Sequence, residues 1–359
     1  MSRGDFPLDG GKRAGIIKKA FSKGGTAVAM TFIDVKTTDP AFNLALEQYV
    51  FDRMPRDRGY FMLWQNDNAI IVGRHQNTLA ELNETFVREH GIRVVRRLSG
   101  GGAVYHDLGN LNFTYIVDAA SGMQLDLKLF CQPVADALRS LGVQAEVNGR
   151  NDITIDGQKF SGNAQYVREG RVMHHGTIMF DSDLSVVGQA LKVDREKMAS
   201  KGVQSVRSRV TTVRPHLRRD VTLEEFKSLL VEKMFAGQPM ERYELTERDL
   251  AAVEELRRDR YGTWEWNYGV SPAGTLNRRR RVEGCGTVEV YLFVEKGVIR
   301  SVSFKGDFFS ALEPEELGKQ LVGIRPVRED FERALEGMDV SQYFTGLDTE
   351  TFLDILCGD

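Results

Sequence analysis

Apolar positions along the chain keep two rhythms, and the points where one gives way to the other predict its elements. Residues 31–35 (TFIDV) read as a strand. Asp39 and Pro40 then supply a helix N-cap and first helical residue, with Phe42, Leu46, Tyr49 and Val50 on one face. Two strand-like runs, 61–64 and 69–74, flank the polar residues 65–68, a spacing that predicts a hairpin. The loop Arg74-His75-Gln76-Asn77 after the second run is placed to face a ligand. A helix over 79–90 stops at Gly91. Val94 and Val95 begin a strand, and residues 111–117 alternate Leu111, Phe113, Tyr115 and Val117 with polar neighbours, the period of a half-buried strand.

Leu127, Phe130, Cys131, Val134, Leu138 and Leu141 form a helical stripe, which makes Cys131 a core residue; Pro133 predicts that the regular helix starts or kinks there. A strand at 143–147 precedes a hairpin over 153–160 whose Asp156-Gly157 pair suits a type I′ turn. In the strand 173–180, His174 and His175 face opposite sides, which argues against their sharing a metal. Helices follow at 223–235 and 247–258. After Pro272 the pattern restarts: four arginines at 278–281, read as a solvated loop, precede a strand at 288–294, a partner at 298–304 and two short helices. Hairpins outnumber strand–helix–strand units, so the prediction is an α+β protein with a mixed or antiparallel sheet flanked by helices. Its large unit spans 30–271 and a small α+β unit spans 272–359. Residues 1–29, with six Lys/Arg against two Asp and little periodicity, read as a disordered extension.

Composition narrows this only slightly. The 359 residues are 42% hydrophobic and 28% charged, an ordinary globular balance with room for two cores. A net charge of −3 gives no general case for nucleic-acid or membrane partners, and no apolar run approaches a membrane span. Cys131, Cys285 and Cys357 lie far apart without metal-ligand spacing, which suits a reducing cytoplasm.

The candidate chemistry concentrates at residues 94–110, VVRRLSGGGAVYHDLGN. Three successive glycines carry a heavy backbone-entropy cost, expected where a visitor must touch bare N–H groups. Arg96 and Arg97 just upstream could grip a phosphate or carboxylate. The spacing fits neither a Walker loop nor a dinucleotide fingerprint. Alternating arginines and small residues at 205–210 (SVRSRV) suit either a phosphate-covering loop or a solvated basic one.

Taken together, RRLSGGGAVYHDLGN, the GRND of 149–152, the QKFSGNA of 158–164, the HHGT of 174–177 and SVRSRV resemble the lipoate–protein ligase A family in order and separation. The resemblance implies a catalytic domain of the biotin/lipoate ligase type, akin to class II aminoacyl-tRNA synthetases, plus a C-terminal accessory domain. It implies ATP-dependent attachment of lipoate, through lipoyl-AMP and with Mg2+, to a lysine of lipoyl carrier domains: the E2 subunits of 2-oxoacid dehydrogenases and the glycine cleavage H protein. On this resemblance Arg97, Gly102, Ala103, Val104 and Tyr105 belong to the lipoate- and nucleotide-binding loop. Lys159 contacts both acyl carboxyl and adenylate phosphate; Asn110, Asn151, Asp152, Ala164, His175 and Gly176 support the adenylate, with Asp152 also near the nucleotide's magnesium. The chain departs from the pattern at Leu98, where the family often has a second serine, and in QYVREG after Ala164.

The acyl tunnel is expected among the strands around 61–72 and 113–117. Charge reversal of the four arginines is expected to slow modification of an acidic carrier. Three rival readings remain open at this level: an ATP-independent octanoyl or lipoyl transferase, a non-catalytic lipoate sensor, and a biotin ligase with a DNA-binding arm. The absence of a reactive-looking thiol, the intact glycine loop with Lys159, and the lack of a helix-turn-helix pattern respectively weigh against them.

Overall fold

A computed structural model describes residues 22–23, 26–27, 29–76, 78–118, 127–148, 152–191, 209–235, 240–267, 276–295, 298–326 and 328–357. Apart from the short antiparallel pair Ser22–Lys23 and Thr26–Ala27, and Ala29, the expected extension lies outside them.

The large unit is built on an eight-stranded sheet. In chain order its strands are β1 (Met30–Asp34), β2 (Gly59–Trp64), β6 (Asn110–Asp118), β7 (Ala145–Asn148), β8 (Asp152–Ile155), β9 (Gln158–Arg168), β10 (Arg171–Met179) and β11 (Met240–Arg242). Their spatial order is β11-β1-β2-β6-β10-β9-β8-β7. β1 runs parallel to β11 and β2, and the remaining pairs are antiparallel, so the sheet is mixed.

Both faces are covered. Tyr60, Met62 and Trp64 of β2 pack with Leu44, Leu46 and Val50 of helix α1 (Pro40–Arg53). Phe61 and Leu63 turn the other way, towards Phe130, Val134 and Leu138 of the helix Leu127–Ser140 and Phe226 and Leu230 of Leu223–Phe235. This two-sided burial corrects the half-buried reading of 111–117: every residue from Asn110 to Val117 is buried, polar Asn112 and Thr114 included. Cys131 is a core residue as expected, and the helix that carries it runs continuously through Pro133.

The expected hairpin at 61–74 does not form. β2 stays in the large sheet, while β3 (Ala69–Val72) is the centre of a separate sheet between β4 (Arg93–Arg96) and β5 (Val104–His106). The polar linker crosses between sheets because Asn66 is buried and tied at both ends, accepting from Asn43 and donating to His106. The helix expected at 79–90 is two short ones, Thr78–Glu81 and Glu84–Glu89, broken where the Asn83 side chain accepts from Phe86 N.

The C-terminal unit is an antiparallel sheet of β12 (Leu276–Val282), β13 (Gly286–Glu295) and β14 (Val298–Gly306), backed by three helices, Pro314–Gln320, Arg328–Ala334 and Thr349–Cys357. The four arginines thus form an edge strand, not a loop. Arg279, Arg280 and Arg281 approach Glu289, Asp354 and Asp307 at 3.6–3.7 Å, which spends charge otherwise available to a partner.

Candidate active site

A cleft of about 140 Å³, open to solvent, lies between the large sheet, the β3–β5 sheet and the C-terminal unit. Register builds its floor. Trp64, Asn112, Thr177, Gly162 and Asp152 lie opposite one another on successive strands, so they share one face. Thr114, His175 and Ala164 form a second row on that face.

At one end of the floor is Lys159. The turn before it has Asp156 at φ 50° and Gly157 at φ 79°, the left-handed pair a type I′ turn requires. The side chain lies back over Gly162, its Nζ 2.6 Å from Asp152 Oδ1. At the other end Leu44, Trp64, Ile71 and Val104 make an apolar recess.

The loop 99–102 forms the rim, and its glycines do different jobs. A Cβ on Gly100 would stand 2.2 Å from Phe308 O, and one on Gly101 would stand 3.2 Å from the Phe309 ring. Gly101, at φ 92°, also donates to Phe308 O at 3.2 Å. Only Gly102 faces open space. Two of the three glycines therefore admit the C-terminal unit, and the third borders open space.

The neighbouring arginines are also committed. Arg97 donates to the carbonyls of Ile71, Gly100 and Gly102 and to Ser99 Oγ. Arg96 holds the carbonyls of Gly73, Arg74, Gln76, Trp266 and Asn267. Burial pushes both guanidinium pKa values down to about 10, leaving them charged at neutral pH. They shape the loop from within and do not extend a free fork into the cleft.

Beneath the rim runs a buried hydrogen-bond chain that the sequence did not reveal. Arg97 and Trp64 can only donate and a carboxylate can only accept, which orients both ends of the chain. Arg97 Nε donates to Ser99 Oγ at 3.1 Å, and Ser99 Oγ shares a hydrogen bond with His175 Nε2 at 2.5 Å. His175 Nδ1 then donates to Glu47 at 3.0 Å. From the other side Trp64 donates to Thr114, which donates to Glu47 Oε1 at 2.5 Å. Glu47, 1% exposed, is the common acceptor and the counter-charge to Arg97.

Of the expected site residues, Arg97, Gly102, Ala103, Val104, Lys159, Ala164, His175 and Gly176 line the cleft, and Asp152 adjoins it through Lys159. Two do not. Strand alternation turns Tyr105 to the back, where its hydroxyl donates to Asn68; Asn110 is buried against Asn112. Asn151 and residues 201–208 of the basic loop lie outside the described residues. His75 does not face a ligand either: its ring stacks on Phe308 at 4.5 Å, and Arg74 pairs with Glu313 at 2.8 Å. His174 and His175 do face opposite sides, His174 stacking on Phe130. Among the described residues no three His, Cys, Asp or Glu side chains converge as metal ligands.

Comparison with known proteins decides the family. The model of the lipoyl protein ligase A/B catalytic domain matches residues 39–235, and that of the bacterial lipoate protein ligase C-terminus matches 271–356. The lipoate-protein ligase LplJ of Bacillus subtilis is 43% identical over 91% of this chain and all of its own. The chain belongs to the lipoate–protein ligase family. It is accordingly an enzyme, a lipoate–protein ligase. Solved ligase structures share the fold: LipL1 of P. falciparum in complex with lipoate (TM-score 0.75, 21% identity, 92% of this chain and 98% of that one); the bipartite Thermoplasma acidophilum ligase studied with its E2 lipoyl domain (0.59, 26%, 69% and 100%); and a lipoate-protein ligase A bound with ATP (0.58, 25%, 68% and 99%). No described helix of this ligase is long and apolar enough to cross a membrane.

Proposed function

We propose that this ligase joins lipoate to a carrier-protein lysine in two steps within the one cleft. In the first, a lipoate carboxylate oxygen attacks the α-phosphorus of ATP, forming lipoyl-AMP and releasing pyrophosphate. Two anions must meet, so the need is for a fixed cation and bare backbone donors. Lys159 supplies the cation, and the N–H groups beside Gly102 the donors. The observation that carries this reading is that Lys159, lying back over Gly162, lines the same cleft as the open rim at Gly102 and the apolar recess.

Asp152 is the one carboxylate beside Lys159 in the described cleft, which fits a magnesium ion held mainly by phosphates and water; Asp152 would hold it, and it would offset phosphate charge. In the second step the carrier's amine attacks the acyl carbon, AMP leaves, and the rate gain comes from alignment. Carriers are lipoyl domains of E2 subunits and the glycine cleavage H protein, in the cytoplasm; the T. acidophilum ligase studied with its E2 lipoyl domain supports the class.

ATP–pyrophosphate exchange measured with lipoate, octanoate and biotin tests the reading. Exchange should require lipoate or octanoate and fail with biotin; acyl transfer between carriers without ATP would replace it with the transferase.

A further inference from the structure

Two hydrogen-bonding atoms in the cleft wall have no partner, and neighbouring amides fix one of them as a donor. Asn43 Nδ2 donates to the carbonyls of Thr37 (3.1 Å) and Gln65 (2.8 Å) and to Asn66 Oδ1 (2.9 Å), so the oxygen of Asn66 faces Asn43. Its NH₂ group therefore faces His106 Nδ1, at 3.1 Å. An amide NH₂ only donates, so Nδ1 accepts and the ring proton sits on Nε2. Burial pushes the pKa of this ring down to about 3, so it is neutral in any ordinary buffer. Its Nε2–H is buried and unpaired. Asn112 repeats the situation: its Oδ1 accepts from Asn110 at 2.9 Å, leaving its Nδ2 buried and unpaired.

Both residues line the recess beside Trp64. Asn112 pairs with Trp64 across the sheet, and the His106 ring centroid is 6.2 Å from the indole. Elsewhere the recess is apolar: Leu44, Ile71, Val104. Burying an unpaired donor is costly, and a recess meant only for a hydrocarbon tail would be better lined with carbon.

We propose that His106 and Asn112 form a polar sub-site for the far end of the acyl chain, donating to the ring sulfurs of a 1,2-dithiolane and so favouring it over a plain hydrocarbon of the same shape. This rests on the ligase reading above. Divalent sulfur is a weak acceptor, but an alkyl tail offers none and leaves both donors stranded. The span agrees. Asn112 and Gly162 are two strands apart, roughly 9–10 Å. Three extended bonds cover roughly 3.3–3.6 Å, so the six from carboxyl carbon to ring sulfur reach roughly 7 Å. The Lys159 ammonium and the Asn112 amide close the remainder.

The test compares pyrophosphate release with lipoate, octanoate and 5-cyclopentylpentanoate, which keeps chain and ring but has methylenes for sulfurs. In the unaltered enzyme, kcat/KM for lipoate should exceed that for the carbocycle about tenfold. Asn112→Leu and His106→Phe should shrink that ratio to about twofold, chiefly by raising KM for lipoate. A ratio near one in the unaltered enzyme, or a ratio the substitutions leave in place, overturns the sub-site while leaving the ligase intact. No pyrophosphate from any of the three acids sinks the ligase reading and the sub-site with it.

Discussion

Lys159 lies across Gly162: its Nζ is 3.0 Å from where a Cβ on that glycine would sit, and its other contact is Asp152 at 2.6 Å. The glycine is thus the seat of the lysine. Lys159→Ala should cost about 2.7–4 kcal/mol of transition-state stabilisation, roughly 10²–10³ in kcat. Gly162→Ala should reproduce part of that loss with the lysine still present, by lifting its ammonium off the floor. Single-turnover adenylation assays would show it; full activity in Gly162→Ala would mean the observed seat is immaterial.

The glycines at 100 and 102 should separate under mutation. Gly100→Ala drives a methyl into Phe308 O, so the C-terminal unit should loosen, seen as faster proteolysis between the two units. Gly102→Ala meets nothing; thermal stability should be kept while adenylation falls. Equal behaviour of the two variants would show that the loop does not divide its work this way.

Glu47→Gln should be among the most destabilising conservative changes. An amide oxygen at the Oε1 position still accepts from Thr114 and His175, but the NH₂ group that replaces Oε2 cannot accept from His175, and the buried Arg97 loses its counter-charge. Leaving a buried polar group without its partner costs about 1–3 kcal/mol, readable as a shift in urea midpoint. A loss below about 1 kcal/mol would mean the chain of hydrogen bonds relaxes easily.

Stability should fall on mild acidification. Burial depresses the pKa values of His75, His106 and His174, His106 to about 3. Below about 6.5 the unfolded chain binds protons that these folded rings refuse. Stability is therefore complete above that pH and is lost as the pH drops below it, for His106 down to about 3, by roughly 1.4 kcal/mol per unit for each histidine that stays neutral. Urea titrations at pH 7 and pH 5 would check the slope, and a flat profile would contradict the burial of these rings.

How much of this could be read from the sequence depends on the distance between partners. The hairpin carrying Lys159 was legible because Asp156-Gly157 determines it locally. The break between β2 and β3 was not, since the burial that turns Asn66 into a crossover comes from Asn43 and His106, distant in the chain. Glu47 looks like an ordinary helix carboxylate until Thr114 and His175, 67 and 128 residues away, close on it. The glycine triplet announced a close approach, but not that the approaching atom would often be Phe308 O and not a ligand.

Phe309, a residue of the C-terminal unit, is part of the cleft wall beside Gly101. The reaction chamber is therefore a joint product of two separately cored pieces of protein. A nascent ligase has no finished chamber until its C-terminal unit has been made and has settled, so ATP should not be spent by half-built molecules.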